Sequence, residues 1–200
     1  MADLPVGAGA GVAKRRTIAV FGGSFNPPHV AHLMAAIWVL ETQPVDALWV
    51  IPTFHHPFDK PLAPFDDRVE MLRLLFAPLA PRVSVETLEH DLPPPSLTLT
   101  TLEALVARHP DVAWRLVVGA DILAERDKWH RWDAIERLAP PIVVGRQGYV
   151  APPELGELVE LPAISSTEVR SRIGRGEDVA ALVPRRVLEY LSRQGLYRNP

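Results

Sequence analysis

Two histidines, His29 and His32, follow a loop that is rich in glycine and proline. They are three positions apart, so on a helix they share one face and point toward the same volume. The loop, Gly22-Gly23-Ser24-Phe25-Asn26-Pro27-Pro28, has two glycines that let the backbone approach a ligand closely. Its two prolines fit the start of a helix, where free N–H groups and the helix dipole attract anions. Together these features predict a triphosphate-binding site.

The histidine pair has two alternative interpretations, a structural role or half of a metal site. A zinc site needs further ligands, and His55 and His56 are available. Nothing in their spacing requires a metal, however. The position of the pair directly after a glycine loop favours phosphate binding, and we assign no residue as a metal ligand.

Short apolar runs alternate with helical patterns along the chain. The predicted strands are Thr17–Phe21, Ala47–Ile51, Val83–Val85, Trp114–Val118, Pro141–Val144 and Leu158–Leu161. The predicted helices are His29–Glu41, Asp66–Leu75, Leu99–Arg108, Trp132–Leu138, Ser166–Ile173 and Pro184–Arg193. This alternation predicts an α/β, Rossmann-like fold, with a doubly wound parallel sheet, helices on both faces and a small C-terminal helical part. Ligands of such folds bind beyond the carboxyl ends of the strands, which is where the candidate residues lie.

The composition is that of one ordinary globular domain. Of the 200 residues, 48% are hydrophobic and 22% are charged, which provides for a core. We expect a single domain over residues 15–200, preceded by a flexible Gly/Ala-rich tail at residues 1–14. The absence of cysteine excludes disulfides, thiolate nucleophiles and Cys-based metal sites.

Charge and hydropathy argue against further classes of protein. The formal net charge is −3, which does not favour binding to nucleic acid or to a membrane surface. The pattern of the N-terminal region leads us to expect neither a signal peptide nor an apolar run of the ~20 residues that cross a bilayer. We therefore expect a cytoplasmic protein, and a homo-oligomer remains possible from the sequence.

The run GGSFNPPHVAH, residues 22–32, resembles the signature of the nucleotidyltransferase superfamily with the His-x-Gly-His motif. It looks most like the form found in bacterial nicotinate mononucleotide adenylyltransferases. Residues 164–170, ISSTEVR, are similar to the second motif of that family. The segments Gly119-Ala120-Asp121 and 129–132, WHRW, resemble two further family segments. The resemblance extends from about Thr17 to Tyr197.

The resemblance implies adenylyl transfer from ATP to nicotinate mononucleotide, which gives deamido-NAD and pyrophosphate in NAD biosynthesis. The 5′-phosphate of the acceptor would attack the α-phosphorus of ATP. The task of the protein would then be to position the two substrates and to neutralise charge. Mg²⁺ would be carried with ATP, without dedicated protein ligands. The implied partners are ATP and a mononucleotide.

The resemblance also implies the roles of individual residues. His29 and His32 would be catalytic and donate hydrogen bonds to the phosphates of ATP. The expected ATP or phosphate contacts are Gly22, Gly23, Ser24, Phe25, Lys60, Asp121, Ile164, Ser165, Ser166, Thr167 and Arg170. The expected acceptor contacts are Asn26, Thr98, Trp129 and His130, with Trp129 stacked on the pyridine ring and Trp132 used for packing.

Several of these residues have a structural alternative. Lys60 would fit a solvated loop, and Asp121 would fit a helix cap as well as a contact to ribose hydroxyls. An ordinary helix cap explains Ser166 and Thr167 about as well as phosphate binding does. A cap does not explain Arg170.

The sequence departs from the usual family pattern at three places. Ala31 replaces the glycine between the two histidines, and Lys60 is the one clearly retained residue of a PPHK segment. In the segment that usually reads SYTxDTL, Leu97 replaces the tyrosine and Thr100 replaces the aspartate. The last two changes lie near the expected acceptor pocket. Alternative functions are therefore the same chemistry on nicotinamide mononucleotide or pantetheine phosphate, a cytidylyl donor, or a catalytically inactive nucleotide sensor.

Deletion of residues 1–14 should leave turnover unchanged, because this segment carries neither a core pattern nor a motif residue. The measurement is the kcat of the shortened protein beside that of the full chain, with the melting temperature as the check on folding. A large loss of kcat in a folded protein would place the segment in the site.

Overall fold

One parallel sheet organises the part of the chain that the computed structural model describes, which is residues 15–58, 60–148 and 158–198. Its strands are β1 (Arg16–Gly23), β2 (Ala47–Pro52), β3 (Val83–Val85), β4 (Val112–Gly119), β5 (Pro141–Arg146) and β6 (Glu160–Leu161). Their order across the sheet is β3-β2-β1-β4-β5-β6, and every neighbouring pair is parallel.

Helices cover both faces of this sheet. They are α1 (Val30–Thr42), α2 (Phe65–Phe76), α3 (Thr98–Arg108), α4 (Ala120–Ala124), α5 (Trp132–Leu138), α6 (Ser166–Gly174) and α7 (Arg185–Gln194). One hydrophobic core joins α1, α2, α6 and α7 to the first face, and a second joins α3 and α5 to the other. The predicted doubly wound α/β fold is confirmed. Its C-terminal helices belong to the first core.

The central strand β1 shows why the sheet is buried on both faces. Successive side chains of a strand point to opposite faces. Ala19 accordingly packs in the first core, whereas its neighbours Ile18 and Val20 pack in the second. All three are almost fully buried, as is usual for a parallel sheet with helices on each side.

The strand order reverses between β1 and β4. The chain builds outward from β1 through β2 to β3, and then returns to place β4 on the other side of β1. In a sheet of this kind a crevice opens where the order reverses, beyond the carboxyl ends of the two strands. The segments that follow β1 and β4 are the glycine loop from Gly22 and the segment Gly119-Ala120-Asp121, so the fold brings two of the sequence motifs together.

The predicted element boundaries lie within two residues of the observed ones, and the differences at α1 and α4 have a physical reason. Helix α1 begins at Val30, because the backbone of His29 is extended, with φ −144° and ψ 176°. Strand β6 covers Glu160–Leu161 alone, against a predicted start at Leu158. The five residues of α4 were not predicted, since so short a helix does not give a recognisable periodicity.

The predicted tail at residues 1–14 lies outside the described residues. The two cores of the described residues share one sheet. Among the described helices, none has both the length and the apolar character needed to cross a membrane.

Candidate active site

A cleft of about 640 Å³ lies beyond the carboxyl ends of β1 and β4. Most of the predicted site residues line it: Gly22, Gly23, Ser24, His29, His32, Lys60, Thr98, Asp121, Trp129, His130, Ile164, Ser165 and Ser166. Four others do not, namely Phe25, Asn26, Thr167 and Arg170. Residues that are far apart in sequence therefore meet at one cleft. The four exceptions have contacts elsewhere in the protein.

The two imidazoles stack on each other at the edge of the cleft. Their ring centroids are 3.8 Å apart and the ring planes differ by 28°. The backbone N–H of His29 donates to Nδ1 of His32 over 3.1 Å. In a neutral imidazole the other nitrogen then carries the proton. Nε2 of His32 is thus a hydrogen-bond donor, as phosphate binding requires.

Phe25 supports the histidine pair from behind. Its side chain is buried, and its ring centroid lies 4.9 Å from that of His32 in an edge-to-face arrangement. Its φ of 47° lies in the left-handed region, which is unfavourable for a phenylalanine and costs on the order of 1–3 kcal/mol. Phe25 thus contacts the His32 ring and does not line the cleft, and its predicted contact with ATP stays a prediction.

Asn26 is buried beneath the glycine loop. Its side-chain amide donates to the carbonyl of Pro61 over 3.2 Å, and its Oδ1 accepts from the N–H of Ala63 over 3.0 Å. The same Oδ1 accepts from the hydroxyl of Tyr197 over 2.6 Å. Burial raises the pKa of the Tyr197 hydroxyl, which keeps its proton available for this bond. The predicted acceptor contact of Asn26 stays a prediction, and in this structure its side chain makes three hydrogen bonds inside the protein.

Helix α6 is tied to the same loop. The guanidinium of Arg170 donates to the carbonyl of Asn26 over 2.6 Å and to Oγ1 of Thr167 over 3.3 Å. The hydroxyl of Ser166 donates to the carbonyl of Pro27 over 2.8 Å. Arg170 therefore joins the two sequence motifs, and does not line the cleft itself. The helix cap is Ser165, whose Oγ accepts from the N–H of Glu168 over 3.1 Å.

Arg68, in α2, is a site-forming residue that the sequence analysis missed. Its side chain is almost fully buried, and it donates to the carbonyls of Ser24, Thr53 and Ala63 over 2.8–3.0 Å. Burial lowers the pKa of this guanidinium, but an arginine starts so high that it stays charged. One signal in the sequence points to it. Arg68 occupies the same face of α2 as the buried Leu72 and Leu75.

The segment after β4 carries Asp121 and, further along the chain, Trp129. Asp121 lies in the first turn of α4, and its Oδ1 lies where a Cβ at position 119 would be, so a larger residue there would displace the Asp121 carboxylate. Trp129 is half-buried, lines the cleft and meets the Trp132 ring edge-to-face with centroids 5.5 Å apart. Trp132 does not line the cleft. This geometry fits the predicted roles of both tryptophans.

No cluster of three or more His, Cys, Asp or Glu side chains that could hold a metal ion occurs among residues 15–58, 60–148 and 158–198. His55 and His56 illustrate this. His56 lines the cleft, whereas the ring of His55 packs against that of Phe54, with centroids 4.4 Å apart.

The chain is similar to known proteins of one family. Residues 20–172 match the model of the Cytidylyltransferase-like family. A "Probable nicotinate-nucleotide adenylyltransferase" of Anaeromyxobacter sp. (strain K) is 58% identical over 187 residues, which are 92% of this chain and 98% of that protein. The chain belongs to the nicotinate-nucleotide adenylyltransferase family.

Two further comparisons agree with this family. A relative from Myxococcus xanthus (strain DK1622) with the same description is 43% identical over 180 residues, covering 90% of this chain and 94% of that protein. The structure of the Plasmodium falciparum nicotinic acid mononucleotide adenylyltransferase complexed with NaAD superposes with a TM-score of 0.78 at 19% identity. It covers 91% of this chain and 97% of the other. At that identity the likeness supports the fold alone.

Two of the residues that depart from the family pattern, Ala31 and Leu97, line the cleft. Ala31 lines the cleft between the two histidines, so its methyl occupies space that glycine leaves empty. Leu97 also lines the cleft, whereas Thr100 does not. Of the two changes in the SYTxDTL segment, the loss of the tyrosine is therefore the one that reaches the cleft wall.

His29→Ala and His32→Ala should each lower kcat while leaving the affinity for ATP nearly unchanged, because donors aimed at developing charge act mainly in the transition state. Loss of one such donor costs roughly 2.7–4 kcal/mol, or about 100- to 1000-fold in kcat. Steady-state kinetics with ATP titration measures both quantities. His109→Ala is the matched control, because that ring packs against Trp49 and Trp114, away from the cleft. A histidine whose loss leaves more than about a tenth of the turnover, a change of ~1.4 kcal/mol, is not catalytic.

Proposed function

We propose that the protein transfers the adenylyl group of ATP to nicotinate mononucleotide in the cytoplasm, releasing pyrophosphate and forming deamido-NAD. One observation carries the proposal. The histidine pair at the start of α1 and the start of α6 at Ser166 face the same cleft, and Arg170 ties the two together. The names of the relatives at 58% and 43% identity support the same reaction.

The phosphate end of the cleft has the parts that phosphoryl chemistry needs. The transfer is a displacement at phosphorus, so positioning and charge neutralisation do most of the work. The Nε2–H of His32 donates to a phosphate oxygen, and Lys60 adds a positive charge at the rim. The N-terminus of α6 contributes backbone N–H groups and the positive end of its dipole. These groups would hold the triphosphate while the acceptor phosphate attacks.

The acceptor end lies near Trp129 and the start of α3. Trp129, Thr98 and His130 all line the cleft. The N-cap of α3 is Leu97, whose side chain offers no acceptor for the first N–H groups of the helix. Backbone N–H groups near Thr98 and His130 would then bind the nicotinate carboxylate, and the indole would stack on the pyridine ring.

Mg²⁺ enters this proposal as part of the ATP substrate. Oxygen ligands from the phosphates and water satisfy most of its coordination in such sites. Asp121 is a carboxylate that lines the cleft, and we assign it to the ribose hydroxyls. The ion would neutralise charge on the departing pyrophosphate.

A panel of acceptors tests the proposal. Nicotinate mononucleotide, nicotinamide mononucleotide and pantetheine phosphate are each offered with ATP or CTP, and pyrophosphate release is measured. The expected result is the highest kcat/KM for nicotinate mononucleotide with ATP. A higher value for another pair would replace the substrate assignment. ATP binding without pyrophosphate release from any pair would make the protein a nucleotide sensor.

Trp129→Ala should weaken acceptor binding and leave ATP affinity largely unchanged, because the stacking platform is lost. Base–aromatic stacking is worth about 1–3 kcal/mol by alanine substitution, so we expect a roughly 5- to 150-fold weaker acceptor affinity. Trp129→Phe should restore part of it. The measurements are both affinities and the melting temperature of each variant.

Trp132→Ala is the matched control, since Trp132 packs against the same core without lining the cleft. This variant should lower the melting temperature, and it should not weaken the affinity for the acceptor more than the affinity for ATP. If Trp129→Ala behaves in the same way, with a stability loss of roughly 3–5 kcal/mol, then Trp129 is a core residue and the stacking role is wrong.

A further inference from the structure

Glu89 is a buried carboxylate in the wall of the cleft. It lies in the short 3₁₀ helix Leu88–Asp91 that follows β3, and only 8% of the residue is exposed. Neither the catalytic roles nor the substrate contacts described above use it. Burial raises the pKa of this carboxyl group, which shows that the surroundings disfavour its charge. A buried acid of this kind is costly to keep unless it has a task.

Two segments of the chain donate hydrogen bonds to this one carboxylate. Oε2 accepts from the backbone N–H of Phe54, in the loop after β2, over 3.2 Å. Oε1 accepts from the hydroxyl of Thr101, in α3, over 2.9 Å. The side chain of Ser96, in the loop before α3, also favours the charged form of this carboxyl group. Arg68 adds a longer-range attraction that favours the charged form.

The same segments carry the residues that face the proposed acceptor. Leu97 and Thr98 lie between Ser96 and Thr101 and line the cleft. Two hydrogen bonds also join the two loops directly. The backbone N–H of His55 donates to Oγ of Ser96 over 3.0 Å, and the backbone N–H of Ser96 donates to the carbonyl of His55 over 3.0 Å. The backbone N–H of Thr101 donates to the carbonyl of Leu97 over 3.1 Å, so Thr101 is bonded to the start of α3. A shift of Glu89 would therefore move the backbone at Thr98.

We propose that Glu89 is a positioning residue for the acceptor, whose carboxylate sets the first turn of α3 and the loop after β2 at the spacing that acceptor binding needs. The inference rests on the proposed function, because it assumes that Thr98 faces the acceptor. A carboxylate fits this task better than a neutral group does. Its two oxygens accept several hydrogen bonds at once, and a glutamine has a single acceptor oxygen.

Glu89→Gln keeps the size of the side chain and turns an NH₂ group toward one of the two donors, the Phe54 N–H or the Thr101 hydroxyl. The expected result is a KM for the acceptor raised about tenfold, equal to 1.4 kcal/mol, with the KM for ATP unchanged. Glu103→Gln is the matched control, because Glu103 is exposed on α3, and it should change neither KM.

Thr101→Val provides a second, independent variant that leaves the carboxylate in place and removes one of its donors. It should raise the KM for the acceptor in the same direction and less than Glu89→Gln does. Because the two side chains act through one contact, the double variant should resemble Glu89→Gln alone instead of showing the product of the two effects.

Three results would overturn the inference. The first is an unchanged acceptor KM together with an unchanged melting temperature in both variants. The second is an equal rise of both KM values, and the third is a lower melting temperature with both KM values intact, which is the result of a purely structural role. The acceptor used is the one that the panel identifies for the unmodified protein. If that acceptor is not nicotinate mononucleotide, the substrate assignment fails while the Glu89 test proceeds. A protein that accepts none of them overturns both.

Discussion

The loop after β1 is held through its carbonyl oxygens by two arginines. Arg68 binds the carbonyl of Ser24 from the side of α2, and Arg170 binds that of Asn26 from the side of α6. A carbonyl oxygen that is occupied by a guanidinium is not directed at an anionic ligand. Both arginines also bring fixed positive charge close to the loop, where buried charges are screened less than exposed ones. The histidine pair, the cleft and the junction of the two motifs depend on this arrangement.

The position of the charges explains how a protein with a net charge of −3 can hold a triphosphate. Ion pairs elsewhere are exposed, such as Arg137 with Asp133, where more than 60% of each side chain is accessible. Pairs of this kind contribute about 0–1 kcal/mol. At the loop after β1, by contrast, Arg68 and Arg170 bond to backbone carbonyls, so their charge is not cancelled by a contacting carboxylate. For triphosphate binding, the local position of these positive charges therefore matters more than the net charge of the protein.

The sequence was sufficient to predict the fold and the edge of the sheet at which the candidate cleft lies. Alternating apolar runs and helical periodicities predicted the sheet and its helices, and the motifs after strand ends placed the site at the carboxyl edge. The individual roles were harder to predict. Phe25, Asn26 and Arg170 lie inside motifs and are predicted to contact substrates, and in the structure they contact other residues of the protein and do not line the cleft. Nothing in the local pattern reveals that difference, because the partners of Asn26 and Arg170 are distant in sequence.

Arg68 and Glu89 were missed for a related reason. Each is a single charged residue in an otherwise ordinary segment, and its importance comes from burial and from donors or acceptors on other elements. A charged residue on the apolar face of a predicted helix is the one available signal, and it applies to Arg68 alone. For Glu89, the 3₁₀ helix of four residues has no periodicity from which a buried face could be predicted.

The bond between Tyr197 and Asn26 joins residues that are 171 positions apart. Ribosomes add about 5–20 residues per second, so Asn26 is made roughly 10–30 s before the tyrosine that it binds. Over that interval the glycine loop and both histidines exist on the nascent chain without the support of α6 or of the C-terminal segment. The site is therefore among the last parts of the domain to become complete during synthesis. A chain that stops before Arg170 retains the full histidine motif, but it lacks the contacts that turn the motif into a binding site.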